Sequence, residues 1–160
     1  TLGGGPDTSD WATHKDASSG ISIKYPSNYE VQGQGEGVFF APPEFKNITE
    51  QPETLKELPL GVIMPPDKSY DEVREEIKKQ SAGADYSEET VKVIVGIPGI
   101  ELKLGPNPGF ADNLHKLYNI IPYKNAVLIF LTFAVSQDQL EDEGIPLLDA
   151  FISTFKPGSP

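Results

Sequence analysis

Cysteine is absent from the 160 residues. That excludes disulfides, thiolate nucleophiles, zinc fingers and iron–sulfur ligation. Arginine occurs once, at Arg74, and lysines make up the rest of the 13 cations. Against 24 Asp and Glu they leave a net charge of −11. Neutralising phosphates takes clustered cations, so nucleic acid and anionic membranes are poor partners for this chain. The sequence has no run of ~18 apolar residues, so nothing in it reads as a membrane span. It has no G-x-S-x-G nucleophile elbow. With only two histidines, His14 and His115, it offers no obvious set of the three or four convergent ligands a metal needs.

What is present points to a folded chain with many turns. Gly and Pro contribute 15 residues each, about 19% against a typical ~12%. Ile, Leu, Val and Phe make up about 27%, above the ~20% line below which a charged chain stays disordered. The length suits one domain. The breakers cluster at Pro26, Pro42-Pro43, Pro65-Pro66 and Gly105 to Gly109, where they mark strand ends. The charge is an even coat, with −4 over residues 1–50, −4 over 51–100 and −3 over 101–160.

The boundaries expected are a flexible linker over residues 1–10, a single domain over 11–156 and a tail over 157–160. Ile21 to Tyr25 alternates apolar and polar, the period of a half-buried strand. Pro26-Ser27-Asn28 reads as a turn. Gly33, Gly35 and Gly37 read as loop punctuation before a short strand, Val38 to Ala41. Residues 44–57 read as a long polar loop, and Leu58 to Met64 as a strand. Ser69-x-x-Glu72 is a capping box opening a helix whose stripe is Tyr70, Val73 and Ile77, with Gly83 as its stop. Val91 to Val95 and Ile100 to Leu104 read as strands. Leu114 to Tyr123 and Val127 to Val135 pair as a hairpin around Lys124-Asn125. The run from Ala126 to Val135 is almost wholly apolar, which demands cover on both faces of the sheet. The second cover is a last helix with Pro146 in its first turn and Leu147, Leu148, Phe151, Ile152 and Phe155 along one side. The fold class expected is α+β, an αβα sandwich around a central, mainly antiparallel sheet.

Trp11, followed by Gly20-Ile21-Ser22-Ile23-Lys24-Tyr25-Pro26-Ser27-Asn28-Tyr29, resembles the opening of PsbP-like domains. The close in Ser153-Thr154-Phe155-Lys156 is similar too. The resemblance implies the same αβα sandwich. It also implies a non-enzymatic accessory or binding module, since the family's known members are lumenal photosystem proteins, a Ran-binding import factor and exported or lipid-anchored bacterial proteins. Fold alone does not fix function. The expectations are therefore a protein partner, an extracytoplasmic location, a possible tether upstream of residue 1, and no cofactor. Two alternatives stand beside this: a small-ligand protein with a pocket between sheet and helix, and a hydrolase working through a carboxylate pair.

The candidate partner surface is Phe110 with the acidic run Asp138, Glu141, Asp142 and Glu143. Phe110 is an aromatic in a loop that would ordinarily be polar. The acidic run reads as a solvated face at a helix start, with a weak divalent-cation site or a patch steering a basic partner as its alternatives. His14 reads as a surface residue and His115 as a strand histidine bonded to a neighbour. Asn47-Ile48-Thr49 matches a glycosylation sequon, meaningful only in a eukaryotic secretory context.

Overall fold

The computed structural model describes residues 8–16, 20–34, 37–43, 56–65, 67–106, 114–124 and 126–157. Phe110, Gly35, Asn125, the sequon at Asn47, most of the polar stretch 44–57 and the chain ends fall outside these residues. The chain opens with β1 (Ala12–Lys15) and β2 (Ser22–Tyr25), which pair antiparallel in a small sheet of their own. A larger sheet follows, built from β3 (Glu30–Gln34), β4 (Gly37–Ala41), β5 (Leu60–Ile63), β6 (Ser87–Ile94), β7 (Ile97–Leu104), β8 (His115–Tyr123) and β9 (Ala126–Ala134). Its order is β3-β4-β5-β9-β8-β7-β6, antiparallel at every junction.

The apolar β9 lies at the centre of that order, between β5 and β8, with Leu60 opposite Thr132 on one side and Ile120 opposite Ile129 on the other. Such a strand can sit only where both faces are covered. Helix α1 (Tyr70–Ser81) covers one face. Ser69 Oγ accepts the Glu72 N–H at 3.1 Å and Glu72 Oε1 accepts the Ser69 N–H at 3.3 Å, so the capping box forms as its residues dictate. Val73 and Ile77 pack beneath it against Ile100, Ile120, Ile129 and Leu131.

The opposite face is covered by a helical segment in three parts: α2 (Gln137–Gln139), a π-helical turn (Leu140–Gly144) and α3 (Ile145–Ser153). Beneath α3 the fully buried rings of Phe40, Phe130 and Phe151 meet edge to face, with Phe151 5.7 Å from Phe40 and 6.3 Å from Phe130. The β1–β2 ribbon packs on the same side. Ser22 and Lys156 exchange backbone hydrogen bonds at 3.0 and 2.8 Å, and Thr154 Oγ1 accepts the Lys24 N–H at 2.9 Å, so the end of the chain clamps β2.

Three expectations are corrected and two are met. Gly33 and Gly37 lie inside a hairpin, opposite Val38 and Gln34, rather than in a loop, because glycine is tolerated on the edge strand β3 and its partner. Pro146 stands in the first turn of α3, as its sequence suggests, and the helical segment ahead of it opens at the cap Ser136, whose Oγ accepts the Gln139 N–H at 3.0 Å. Helix α1 ends at Ser81 with Ala82 as its cap, its N–H on the Lys79 carbonyl, so Gly83 is the first residue past the cap, where the stop is read. His14 is half-buried rather than on the surface, its ring edge-on to Phe40 at 5.6 Å. Ser87–Ile94 and Ile97–Leu104 are longer than the strands read from sequence, and they form one hairpin.

That hairpin turns at Val95 and Gly96, which both have positive φ, 53° and 76°. This is the pattern of a type I′ turn, whose backbone twist suits a two-residue hairpin and whose favoured residues are Asn-Gly. A β-branched side chain in the left-handed region costs roughly 1–2 kcal/mol. Val95→Asn is therefore expected to stabilise the fold by about 1 kcal/mol, raising Tm by ~2–4 °C. A Tm equal to or below that of the parent in a thermal melt would contradict the strain.

Candidate functional site

At one end of the sandwich the β1–β2 ribbon, the turn after β2, the segment before β5 and the π-helical turn surround a groove of ≈ 550 Å³. Its chemistry comes from Trp11, Asn28, Tyr29, Glu57, Asp142 and Glu143. The turn Pro26 to Tyr29 is closed by the Tyr29 N–H on the Pro26 carbonyl at 2.9 Å. Tyr29 Oη donates to the Leu58 carbonyl at 2.6 Å, which fixes the wall beside it. Asn28 Nδ2 lies 3.2 and 3.1 Å from the two oxygens of Glu57 and holds that carboxylate at the rim. Asp142 and Glu143 are exposed and have no hydrogen-bond or ion-pair partner among the described residues. The groove therefore brings an indole and three carboxylates into one lining.

The acidic run read from the sequence is divided. Asp142 and Glu143 line the groove. Glu141 turns away to Lys103, at 3.5 Å, and Lys103 also faces Glu88 at 3.7 Å. Asp138 is exposed in α2. Among the described residues no group of three His, Asp or Glu converges on a point where a metal ion could sit.

His115 is the strand histidine the sequence suggested. Its Nδ1 shares a hydrogen bond with Tyr86 Oη at 2.9 Å. Burial pushes the Tyr86 phenol up from 10.0 to about 12, and the carboxylates of Glu141 and Glu88 push the same way. An acid whose folded pKa is raised adds stability below its unfolded pKa and loses it as pH climbs towards the folded value. Tyr86 is thus expected to take stability away as pH climbs from 10.0 to about 12. Tyr86→Phe is expected to flatten stability over that range. An unchanged slope in urea melts at pH 9, 10 and 11 would reject the assignment.

A second polar feature was missed in the sequence. It crosses the α3 side of the sheet at the β6 edge. Lys92 Nζ reaches Glu101 Oε2 at 2.7 Å and Asp149 Oδ1 at 2.8 Å, tying β6, β7 and α3 together. Burial pulls the Lys92 ammonium down, but the hydrogen bonds to Asp149 and Glu101 outweigh it and leave the pKa raised. Asn119, opposite Glu101 in β8, is 0% exposed. Neither its Oδ1 nor its Nδ2 has a partner among the described residues. The other fully buried polar side chain of the sheet, Thr132, donates to the Pro59 carbonyl at 2.8 Å. A buried amide left unpaired costs about 1–3 kcal/mol. The signal was in the sequence: Leu117, Asn119, Ile121 and Tyr123 share one face at a spacing of two, and a single amide interrupts an otherwise apolar row.

On the other face of β6, Val91 and Val93 are 81% and 67% exposed. They lie on a sheet edge, since among the described residues β6 pairs with β7 alone.

Seven antiparallel strands, α1 on one face, α3 with its π turn on the other, and a ribbon closing one end define an α+β sandwich. No protein-family model matches the chain, and no curated protein matches it in sequence. Solved structures do match. The cyanobacterial PsbP (CyanoP) of Synechocystis sp. PCC 6803 is 18% identical, with a TM-score of 0.55 over 96% of this chain and 96% of its own. The Ran-binding protein Mog1p of Saccharomyces cerevisiae is 11% identical, with a TM-score of 0.56 over 92% of this chain and 95% of its own. The chain has the PsbP/Mog1-like fold, as the Trp11 to Tyr29 segment implied.

Proposed function

We propose that this chain is a non-catalytic binding domain that takes a basic segment of a protein partner into the groove at Trp11. The observation that carries the reading is the groove itself, with Glu57, Asp142 and Glu143 around an indole. A lysine or arginine entering it would meet carboxylates and an aromatic ring in the same lining, two kinds of group that favour the same cation. The net charge of −11 adds long-range attraction for a basic partner. The yeast protein of the same fold is a Ran-binding protein, so protein docking is compatible with this architecture.

Trp11 is the chain's single tryptophan and reports on the groove directly. Titration with an unstructured Lys/Arg-rich decapeptide is expected to change its fluorescence in a saturable way, and to weaken as salt rises. Replacing Asp142 and Glu143 together by alanine is expected to weaken binding about tenfold, or ~1.4 kcal/mol. Both residues are exposed, so the variant should fold as the parent does. Unchanged fluorescence, or equal affinity in the double variant, would defeat the reading.

The same reading includes an extracytoplasmic location, supported by the resemblance of the Trp11 to Tyr29 segment to lumenal and exported domains. No helix among the described residues is long and apolar enough to cross a membrane. Fractionation of the source cells with an antibody against the domain tests it, and recovery in the cytoplasm alone would reject it.

A further inference from the structure

Strand β6 ends the seven-stranded sheet, and among the described residues nothing pairs with its outer side. Such edges are ordinarily blunted by proline, a bulge or outward lysines, because their unpaired N–H and C=O groups template another strand. β6 contains no proline, and its pairing with β7 runs without a bulge from Ser87 opposite Leu104 to Ile94 opposite Ile97. Its one lysine, Lys92, is drawn back onto Glu101 and Asp149. Glu89 is drawn onto Arg74 at 3.2 Å, while Val91 and Val93 stand exposed. The two-residue turn at Val95 and Gly96 makes Ile94 and Ile97 a hydrogen-bonded pair. By alternation, Ser87, Glu89, Val91 and Val93 aim their N–H and C=O groups away from β7.

We propose that β6 pairs antiparallel with β6 of a second copy of this chain, across a two-fold axis at Thr90, so that two sheets become one. The strand's own residues select this occupant and this register. With Thr90 opposite Thr90 of the second copy, Val91 falls opposite its Glu89 and Val93 opposite its Ser87, so every outward N–H and C=O of β6 meets a complement. On the α3 face the same register sets Glu88 opposite Lys92 of the second copy, once on each side of the axis, and opposite charges in that position attract. An ammonium has three donors. Glu101 and Asp149 take two from Lys92, which leaves one for that Glu88. On the other face Val91 and Val93 of both copies join in one apolar patch through the diagonal contact of the two Val91 side chains. Centring the pair on Val91 would leave no carboxylate opposite Lys92, and centring it on Lys92 would set two ammonium groups face to face. The sheet's other edge, β3, is five residues long, and joining it to β6 would propagate from copy to copy instead of closing. The β6 edge takes no part in the groove at Trp11, and either reading can fail without the other.

Sedimentation equilibrium of the whole chain tests this, in ~150 mM salt to screen the like net charge of the copies. A monomer–dimer equilibrium is expected at concentrations up to ~1 mM, the range for a contact smaller than a standard interface. Val91→Pro removes an outward N–H that the β7 ladder does not use, a position where an edge strand tolerates proline, and is expected to weaken the dimer about tenfold. Glu88→Lys sets lysine opposite Lys92 and is expected to weaken it by a similar factor, with the circular dichroism of the parent; it serves if the proline variant does not fold. The chain has no cysteine, so the register can be read by cross-linking. Thr90→Cys places two sulfurs at the axis, with Cα atoms about 4.5 Å apart, and is expected to link the copies on mild oxidation. Glu88→Cys, whose two positions would lie about 14 Å apart along the strands, is expected to stay unlinked. The proposal is overturned by a monomer at every concentration, by species larger than a dimer, by a folded Val91→Pro or Glu88→Lys that dimerises as the parent does, or by Glu88→Cys linking as readily as Thr90→Cys.

Discussion

Phe151→Ala is expected to cost about 3–5 kcal/mol, the range for truncating a fully buried aromatic. Phe151 is 0% exposed, and its ring is the one that Phe40 from β4 and Phe130 from β9 both meet. Removing it opens a void at the junction of α3 and two strands that are not neighbours in the sheet. The backbone on the sheet side is held by ladders and cannot close around the gap, so little of the cost is recovered by relaxation. With total stabilities of ~5–15 kcal/mol for folded domains, this variant would unfold at much lower urea. Chemical denaturation followed by Trp11 fluorescence and by circular dichroism measures it. A loss below ~1 kcal/mol would show that the site collapses and that Phe151 is not what anchors α3.

The second large effect concerns a position with no side chain. A Cβ on Gly99 would fall 2.3 Å from the Ile120 carbonyl oxygen and 2.6 Å from Ile121 Cγ2. The first of these is backbone in the neighbouring strand and cannot rotate away. Gly99→Ala must part β7 from β8 locally, at a cost of about 1–3 kcal/mol or more. Gly33 is the internal comparison, because a Cβ there meets nothing within 4 Å. Gly33→Ala is expected to be neutral or slightly stabilising, by up to ~1 kcal/mol, through the entropy of the unfolded chain. Thermal melts of the pair test the argument, and equal Tm values for the two variants would refute it. Gly99→Ala should also disturb Glu101 and Asn119, two and one strand positions from the strain.

Much of the fold could be read from residues whose physics is local or periodic. The capping box at Ser69 satisfies its own N–H groups, and the apolar run from Ala126 to Val135 allowed no place but the sheet centre. The β6–β7 hairpin escaped because its turn begins with Val95, a residue that turn chemistry disfavours. The Gly33 to Gly37 stretch misled for the opposite reason: glycine usually ends strands, but here two glycines are paired within them. His14 looked polar because its neighbours are, and its burial comes from Phe40, a partner distant in sequence. The groove at Trp11 was legible in part. Asp142 and Glu143 meet Trp11 and Glu57 only in three dimensions, and the same folding removes Glu141 to Lys103. No periodicity predicts that split, because it depends on the helical geometry between them.

That geometry is set by the π-helical turn, in which the Ile145 N–H bonds back five residues to the Leu140 carbonyl. The buried positions of this segment include Leu140, Gly144, Leu148 and Ile152, a row with a repeat of four. In an α-helix a repeat of four overshoots the 3.6-residue turn and drifts about 40° per step, so the row would spiral off the sheet within three steps. The wider turn holds more residues and takes back part of the overshoot, much as a leap day keeps a calendar in season. The correction falls between Leu140 and Gly144, where Glu141, Asp142 and Glu143 stand in succession on the outside of the bend. Losing one residue from this stretch would restore the common pitch, throw Leu148 and Ile152 out of step with the core, and swing the acidic side chains to a different compass bearing.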